Sequence, residues 1–219
     1  MVREVFDQEL QRLQDELLAM GSMVEEMLVK SVETLKQKDF AGSQQIIVYD
    51  RKINRKRFDV ESDILTTSAT QQPMAGDMRL LAAMLEIITE LERIGDYAKG
   101  IARINLMIGE EPLIKPLIDL PVMAEKARYM LRSALDAFVQ RDVERARAIP
   151  SMDDDVDDLY NQVYRELLSY ILQDASTIEQ ANYLLWVAHN LERTADRVIN
   201  LCERVVFCVT GEMEELNSD

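Results

Sequence analysis

The stretch that decides the fold is LERIGDYAKGIARI at residues 91–104, which returns as LERTADRVINLCERV at residues 191–205. Both copies place apolar residues three and four positions apart, which is the spacing of the buried stripe of a helix in a bundle. The preceding segments repeat as well, since Lys38-Asp39-Phe40 corresponds to Arg141-Asp142-Val143 further along the chain. The chain is therefore predicted to contain two copies of one helical unit.

Composition and the breaks in the apolar pattern indicate the number of helices. Only 7 of the 219 residues are glycine and 5 are proline, which is typical of a helical protein with few turns. No segment alternates for long with the period of two that a strand requires. Breaks near residues 38, 73, 115, 141 and 175 leave six long segments. We predict an all-α, elongated protein made of two tandem three-helix bundles.

The segment Glu110–Pro121 contains three prolines and is the best candidate for the linker between the two repeats. The first repeat is predicted to span residues 1–110 and the second residues 117–213. Pro150 lies inside the fifth helical segment, where a proline removes a backbone donor. We therefore expect a kink or a local break just before Asp153, which the first repeat lacks.

The charge of the chain limits its partners. Forty acidic residues against 25 basic ones give a net charge of -15. Because nucleic-acid binding needs a basic face, this balance disfavours nucleic acid and favours cations or basic protein surfaces. The N-terminus has no apolar signal-peptide core, and no apolar run is long enough to span a bilayer. Cys202 and Cys208 point in different directions on one predicted helix and do not suggest a disulfide framework. We expect a cytoplasmic protein without direct membrane insertion.

Each copy of the opening stretch carries a Glu and an Asp four residues apart, a spacing that puts both carboxylates on one face of a helix. These pairs are Glu92 with Asp96 and Glu192 with Asp196. Helical phase turns Glu92 roughly 130° and Asp96 roughly 170° away from the apolar stripe, so this pair is predicted to face outward. The second pair, at roughly 80° and 120°, is expected to flank the core or to face outward too.

The second helix of each repeat carries a parallel pair with the same spacing: Asp50 with Asn54, and Asp153 with Asp157. The second and third helices of a three-helix bundle are neighbours, so each repeat could present four oxygen-bearing side chains on one external patch. An acidic chain also produces such pairs by chance, as solvated charges with Arg93 and Lys99 as counter-charges. Solvent-facing positions have no packing reason to recur, however, and the recurrence favours a shared cation-binding role.

Carboxylate and amide oxygens without cysteine suit hard or borderline cations, namely ferric iron, manganese, magnesium or calcium, and they accept zinc. His189 precedes Glu192 by one turn and is interpreted as a surface histidine without a role, or as a further ligand. The basic run at residues 51–57 is interpreted as an ion-pair face between helices, or as a contact surface for an acidic partner. No phosphate loop, nucleophile elbow or catalytic triad is present in the sequence, so we predict no enzyme.

A third motif, PMAGDMRL, lies at residues 73–80, before the third helix. Together with LERIGD at residues 91–96, LERTAD at residues 191–196 and the four acidic or amide pairs, it makes the chain resemble the PhoU family of phosphate-transport accessory proteins. The resemblance covers nearly the whole chain and implies two three-helix PhoU domains, often assembled as homodimers. The chain departs from the pattern at Asn54, which removes one charge, and at Thr194-Ala195, which replace an Ile-Gly pair.

The resemblance implies a negative regulator of the phosphate-starvation response and of phosphate uptake. Such a protein would connect the ATPase subunit of the phosphate ABC transporter to a sensor histidine kinase at the inner face of the membrane. It also implies multinuclear iron or zinc clusters held by acidic motifs, which correspond here to Glu92 with Asp96 and Glu192 with Asp196. Asp50 with Asn54 and Asp153 with Asp157 would be the facing pairs. Two alternatives stay open: a carboxylate-bridged metal-storage protein or enzyme, and a metal-free protein whose acidic patches dock basic partners.

Overall fold

The structure is a computed structural model that describes residues 2–216. These residues form seven α-helices and no strand: α1 (Val2–Gln37), α2 (Phe40–Thr70), α3 (Ala75–Ile108), α4 (Asp119–Gln140), α5 (Val143–Ala148), α6 (Asp153–Gln173) and α7 (Ile178–Thr210). Short 3-10 turns at Pro150–Met152 and Ala175–Thr177 precede α6 and α7. The all-α class and the two tandem three-helix repeats are confirmed.

Equivalent turns separate the first two helices of each repeat. Lys38 and Arg141 adopt a left-handed backbone conformation with φ of 55° and 53°, which ends α1 and α4. The next residues, Asp39 and Asp142, each accept a hydrogen bond from the backbone N–H three residues later, at 2.9 and 3.0 Å. These side chains are N-caps, so the same local sequence sets the same turn twice.

Pro150 breaks the second repeat as the sequence predicts. Helix α5 ends at Ala148, the chain makes one 3-10 turn, and α6 begins at Asp153. The fifth predicted segment is therefore divided into two helices, α5 and α6, whereas the equivalent segment of the first repeat is the single helix α2. The break places Asp153 in the first turn of α6, where the helix dipole favours a negative charge.

The two repeats pack side by side around one continuous apolar core. Helices α1, α2 and α3 form the first bundle, and α4, α5, α6 and α7 form the second. Helix α3 lies along α7, and α1 lies along α4. With 34 residues, α3 is about 50 Å long. Since α3 contacts α1, α2 and α7, its side chains are covered over a wide arc.

Residues 109–118 connect the repeats without a helix and overlap the predicted linker Glu110–Pro121, whose last three residues belong to α4. The buried Gln180 of α7 fixes this connection, because its Oε1 accepts a hydrogen bond from Ile114 N at 2.6 Å and its Nε2 donates to Pro112 O at 3.0 Å. The domain boundaries at 110 and 117 stay predictions. Along residues 2–216, no helix is both long enough and apolar enough to cross a membrane.

A buried polar cluster distinguishes the core of the first repeat. Asn105 is fully buried, and its Nδ2 donates to Ser43 Oγ at 2.8 Å, to Thr34 O at 3.1 Å and to Asp39 O at 3.3 Å. The positions of Thr34, Ser43 and Asn105 in the second repeat hold only apolar residues: Ala137, Ala146 and Val205. Equivalent core positions are therefore filled by hydrogen-bonded polar side chains in the first repeat and by apolar side chains in the second.

Replacing Asn105 by valine should lower the free energy of unfolding by roughly 1–3 kcal/mol, because the remaining buried polar groups lose a donor. Adding Ser43→Ala and Thr34→Ala gives this cluster the side chains of the second repeat. That triple variant should recover much of the loss, since no buried polar side chain then lacks a partner. Urea denaturation of the single and triple variants tests this, and a triple variant less stable than the single one would contradict it.

Candidate metal centres

The side chains predicted for each patch meet in the crevice between the second and third helices of their repeat. Site 1 lies between α2 and α3 and consists of Asp50, Asn54, Glu92 and Asp96. Site 2 lies between α6 and α7 and consists of Asp153, Asp157, Glu192 and Asp196. The sequence repeat thus corresponds to a repeat in space.

Asp50, Asp153 and the two glutamates are more buried than an external patch would require. Asp50 and Asp153 are each 4% exposed. The Glu92 side chain is 18% exposed and that of Glu192 is 24% exposed, whereas Asp157 and Asp196 are exposed. The outward orientation predicted for Glu92 is wrong, because α2 covers the side of α3 that points away from the main apolar stripe. The sites are therefore half-closed crevices.

Site 1 contains its own cation. The Lys99 ammonium lies 2.7 Å from Asp50 Oδ2 on α2 and 2.6 Å from Asp96 Oδ1 on α3, so it bridges the two helices. Asn54 Nδ2 also donates to Asp50 Oδ2, at 3.2 Å. The other oxygen of Asp50, Oδ1, is buried without a hydrogen-bond partner. One carboxylate oxygen of Asp50 therefore receives two donors and the other receives none.

The pKa values in site 1 follow from this arrangement. Burial lowers the pKa of Lys99, but its hydrogen bonds to Asp50 and Asp96 outweigh burial and raise the pKa above its usual value. Burial raises the pKa of Glu92, and the neighbouring Asp96 adds to the effect while Arg93 and Arg57 oppose it. The lysine is therefore held charged among carboxylates that it partly neutralises.

Site 2 has no such cation. Lys99 corresponds to Ile199, a buried residue, and Asn54 corresponds to Asp157. Within residues 2–216, no hydrogen-bond donor or basic side chain pairs with Asp153, Asp157 or Asp196. Buried polar groups in proteins are nearly always paired, so a carboxylate as buried as Asp153 without a partner is unusual.

The carboxylates of site 2 raise one another's pKa values. Burial is the largest effect on Asp153, and together with the charges of Asp157, Asp196 and Glu192 it raises the pKa of Asp153 to about 7. Burial and the charge of Asp196 raise the pKa values of Asp157 and Glu192 as well. Such mutual shifts arise where like charges meet without a counter-ion.

His189 lies at the edge of site 2. Its Nδ1 is 3.1 Å from Glu192 Oε2, and its ring is half exposed and 6.3 Å from the ring of Tyr160. The charge of an imidazolium here opposes the rise in the pKa of Glu192. His189 and Glu192 are three residues apart on α7, a spacing that brings two side chains together on one face of a helix, and the position suits a ligand at the rim of the site.

Neither site has its ligands already arranged around a metal position, so the two sites are compared by which of their carboxylates are free to bind a cation. No three His, Cys, Asp or Glu side chains of the described part of the chain stand ready to hold a metal ion. Site 2 nevertheless fits a cation, because it offers an unpaired buried carboxylate and two carboxylates, Asp157 and Asp196, without partners. Site 1 does not fit one in the same way, because Lys99 already binds Asp50 and Asp96.

Sequence reasoning named Lys99 only as a nearby counter-charge and missed its bridging role. The signal that could have revealed it was the comparison of the two repeats, since Lys99 stands opposite Ile199 at the spacing that matches Glu92 with Glu192. The burial of Asp50 and Asp153 was missed for another reason. Each lies three residues before a core position, Ile53 or Val156, and this proximity to the apolar stripe was the available clue.

The fold and the two crevices define a class of all-helical proteins with two tandem three-helix repeats and paired acidic motifs. The family model described as "PhoU domain" matches residues 17–104 and again residues 120–205. The chain is 35% identical to the phosphate-specific transport system accessory protein PhoU homolog of Clostridium acetobutylicum, over 99% of this chain and 100% of that one.

Solved structures agree with the sequence matches. The crystal structure of PhoU from Pseudomonas aeruginosa superposes with a TM-score of 0.88 at 30% identity and covers 94% of this chain and 100% of that one. The phosphate transport system regulatory protein PhoU from Streptococcus pneumoniae gives the same TM-score and identity over 95% of this chain and 99% of that one. The chain belongs to the PhoU family.

Proposed function

We propose that the chain is a regulator of phosphate transport that acts as an adaptor, without catalytic turnover. Its relatives are named accessory or regulatory proteins of phosphate transport systems, and the match extends along nearly the full length of both chains. The proposed partners are the ATPase subunit of the phosphate ABC transporter and a sensor histidine kinase. The adaptor would work as a homodimer in the cytoplasm, held at the inner face of the membrane through these partners.

Two exposed faces of opposite charge support an adaptor with two partners. On α2, Arg51, Lys52 and Arg55 are exposed, and they form the basic face. The equivalent residues of α6 are exposed as well and form the acidic face: Asp154, Asp155 and Asp158. Electrostatic complementarity selects partners and speeds their encounter, so two equivalent faces of opposite charge suit two different docking surfaces.

The two interpretations of the basic run at residues 51–57, an ion-pair face and a contact surface, apply to different residues. Arg55 pairs with Asp59, Arg57 with Glu61, and Lys56 with Glu16 of α1. Arg51 and Lys52 have no acidic partner among residues 2–216, and the Lys52 ammonium lies 5.3 Å above the Tyr49 ring. The charge available to an acidic partner is therefore concentrated at the two residues 51 and 52.

Metal binding belongs to the proposal as a structural element of the adaptor. Asp153, Asp157, Glu192 and Asp196 would hold a multinuclear iron or zinc cluster, which would supply the positive charge that site 2 lacks. The single observation that carries this part is the buried, unpaired carboxylate of Asp153 facing three other carboxylates. A bound cluster would tie α6 to α7 and fix the position of the acidic face on α6.

Deleting the gene in its native cell should derepress phosphatase expression in phosphate-rich medium. Complementation with the wild-type gene should restore repression, and a variant with Arg51→Glu and Lys52→Glu should restore it only in part, because the basic face then repels an acidic partner. Phosphatase activity per cell is the measurement. A variant with Lys36→Glu and Arg103→Glu is the matched control, because it makes the same change of charge at exposed residues without an ion-pair partner among residues 2–216.

Repression that persists after deletion would contradict the regulatory role. The enzyme or storage alternative makes a different prediction, namely oxygen-dependent turnover by the purified protein that Glu92→Ala abolishes. Detection of such turnover would contradict the adaptor. The metal-free docking alternative predicts native protein without metal, which elemental analysis decides.

A further inference from the structure

The two sites are equivalent in backbone position but different in what fills them. Lys99 extends from α3 across the mouth of site 1 and contacts the buried Asp50 and the half-buried Asp96 at hydrogen-bond distance. Ile199 occupies the equivalent position on α7 and is buried, with 4% exposure. One repeat therefore carries an ammonium group where the other carries a hydrocarbon.

The charges of the two sites differ in consequence. Site 1 combines three carboxylates with one neutral amide and one ammonium, for a formal charge of -2. Site 2 combines four carboxylates, for a formal charge of -4, and His189 contacts Glu192 at its rim. Carboxylate number and net negative charge set the affinity of oxygen sites for hard cations, so site 2 is the stronger candidate by a wide margin.

The lysine also takes the lone pairs that a metal would need. Its ammonium contacts Asp50 Oδ2 and Asp96 Oδ1, one carboxylate oxygen from each helix, and leaves Asp50 Oδ1 as a buried oxygen without a partner. A metal at site 1 would have to displace a buried ion pair and would then lie beside a second positive charge. At site 2 a metal meets no competitor, because Asp153, Asp157 and Asp196 have no partner in the described residues.

We infer that the Lys99 ammonium is the resident cation of site 1, so that this chain binds metal through its second repeat alone. The inference rests on the metal part of the proposed function and deepens it. The charge of site 1 is partly neutralised by a side chain that belongs to the protein. The charge of site 2 would be neutralised by a metal ion that the protein can bind or release. The availability of metal would then affect only the packing of α6 against α7, in the repeat that carries the acidic face.

The experiment measures zinc bound by the full chain after removal of metal with a chelator, reloading with Zn²⁺ and desalting. Asp153→Asn and Asp50→Asn are the matched pair, since they make the same change at equivalent positions. Asp153→Asn should abolish zinc retention, and Asp50→Asn should leave it unchanged. Circular dichroism of every variant establishes that the helices are intact.

Exchanging the lysine between repeats provides the second arm. Ile199→Lys should abolish retention at site 2, because the new ammonium reproduces the pairing seen at site 1. Lys99→Ile combined with Asn54→Asp gives site 1 the residues of site 2, and it should double the zinc retained per chain. If Ile199→Lys does not fold, the exchange at site 1 and the matched pair still decide the question.

Three results of the zinc measurement would contradict the assignment of site 2, the role of Lys99 or metal binding as a whole. Zinc that is lost in Asp50→Asn but kept in Asp153→Asn overturns the inference and leaves metal binding by the protein intact. Unchanged zinc in the variant with Lys99→Ile and Asn54→Asp overturns the role of Lys99. A wild-type chain that retains no zinc overturns both the inference and the metal part of the proposed function.

Discussion

Replacing Lys99 by methionine should lower the free energy of unfolding of the metal-free protein by roughly 3–5 kcal/mol, the usual cost of removing one partner of a buried ion pair. Methionine keeps the length and most of the apolar contacts of lysine but carries no charge. Asp50, with a side chain only 5% exposed, would then keep a single donor from Asn54. Asp96 and Glu92 would repel it without any compensation from an ammonium group.

Urea denaturation at neutral pH measures the effect, and a double variant identifies its cause. Adding Asp50→Asn to Lys99→Met removes the stranded charge, so the double variant should be more stable than Lys99→Met alone. Lys52→Met on α2 is the control, because Lys52 is exposed and has no ion-pair partner in the described residues. A loss no larger for Lys99→Met than for this control would contradict the role of Lys99 as the cation of site 1.

The fold could be predicted because its determinants are local. Apolar residues such as Leu13, Leu17 and Leu91 keep the helical spacing and are fully buried. Pro150 breaks its helix for a covalent reason that no tertiary contact overrides. The motif LERIGD recurs as LERTAD with the same apolar spacing, so both copies are expected to pack as the third helix of a bundle, which predicts two bundles.

The sites could be predicted only in part, because their properties depend on contacts between helices. Spacing within one helix brings Glu92 near Asp96, but the distance from Lys99 to Asp50 is set by how α3 crosses α2. The reach of a long, flexible lysine has no periodic signature. Helical phase also assumes one apolar direction, whereas α3 has neighbours on three sides, and this is why the exposure of Glu92 was overestimated.

The two repeats place the same residue type in opposite electrostatic surroundings. The same Asp at positions 50 and 153 meets Lys99 in one repeat and three carboxylates in the other. A prediction based on residue type treats the two as one kind of site. The structure divides them into a site that is already neutralised and a site that is not, and the division predicts opposite responses to one substitution.

Asp153→Asn should stabilise the metal-free protein above neutral pH, by roughly 1–3 kcal/mol, because it removes a buried charge that has no partner. The pKa of Asp153 is raised to about 7 in the folded protein, mainly by burial and then by Asp157, Asp196 and Glu192. The unfolded chain has the ordinary value of 3.8. Between these two values the folded state binds more protons than the unfolded state, so stability must fall as the pH rises.

The wild-type protein should therefore lose stability between about pH 4 and pH 7, and the raised pKa values of Asp157 and Glu192 act in the same direction. The advantage of Asp153→Asn should grow over this window, remain constant above it and vanish at lower pH, where Asp153 is protonated. Thermal unfolding in the presence of a chelator, from pH 4 to pH 9, measures the difference.

The equivalent substitution in the first repeat should have the opposite sign. Asp50→Asn removes the partner of Lys99, so it leaves an ammonium group with a weaker set of acceptors and destabilises the protein at neutral pH. If both substitutions destabilise the metal-free protein at pH 8, site 2 is not a set of uncompensated carboxylates. With zinc bound, Asp153→Asn should instead be less stable than the wild type, because Asp153 is then a metal ligand. Zinc should not change the effect of Asp50→Asn.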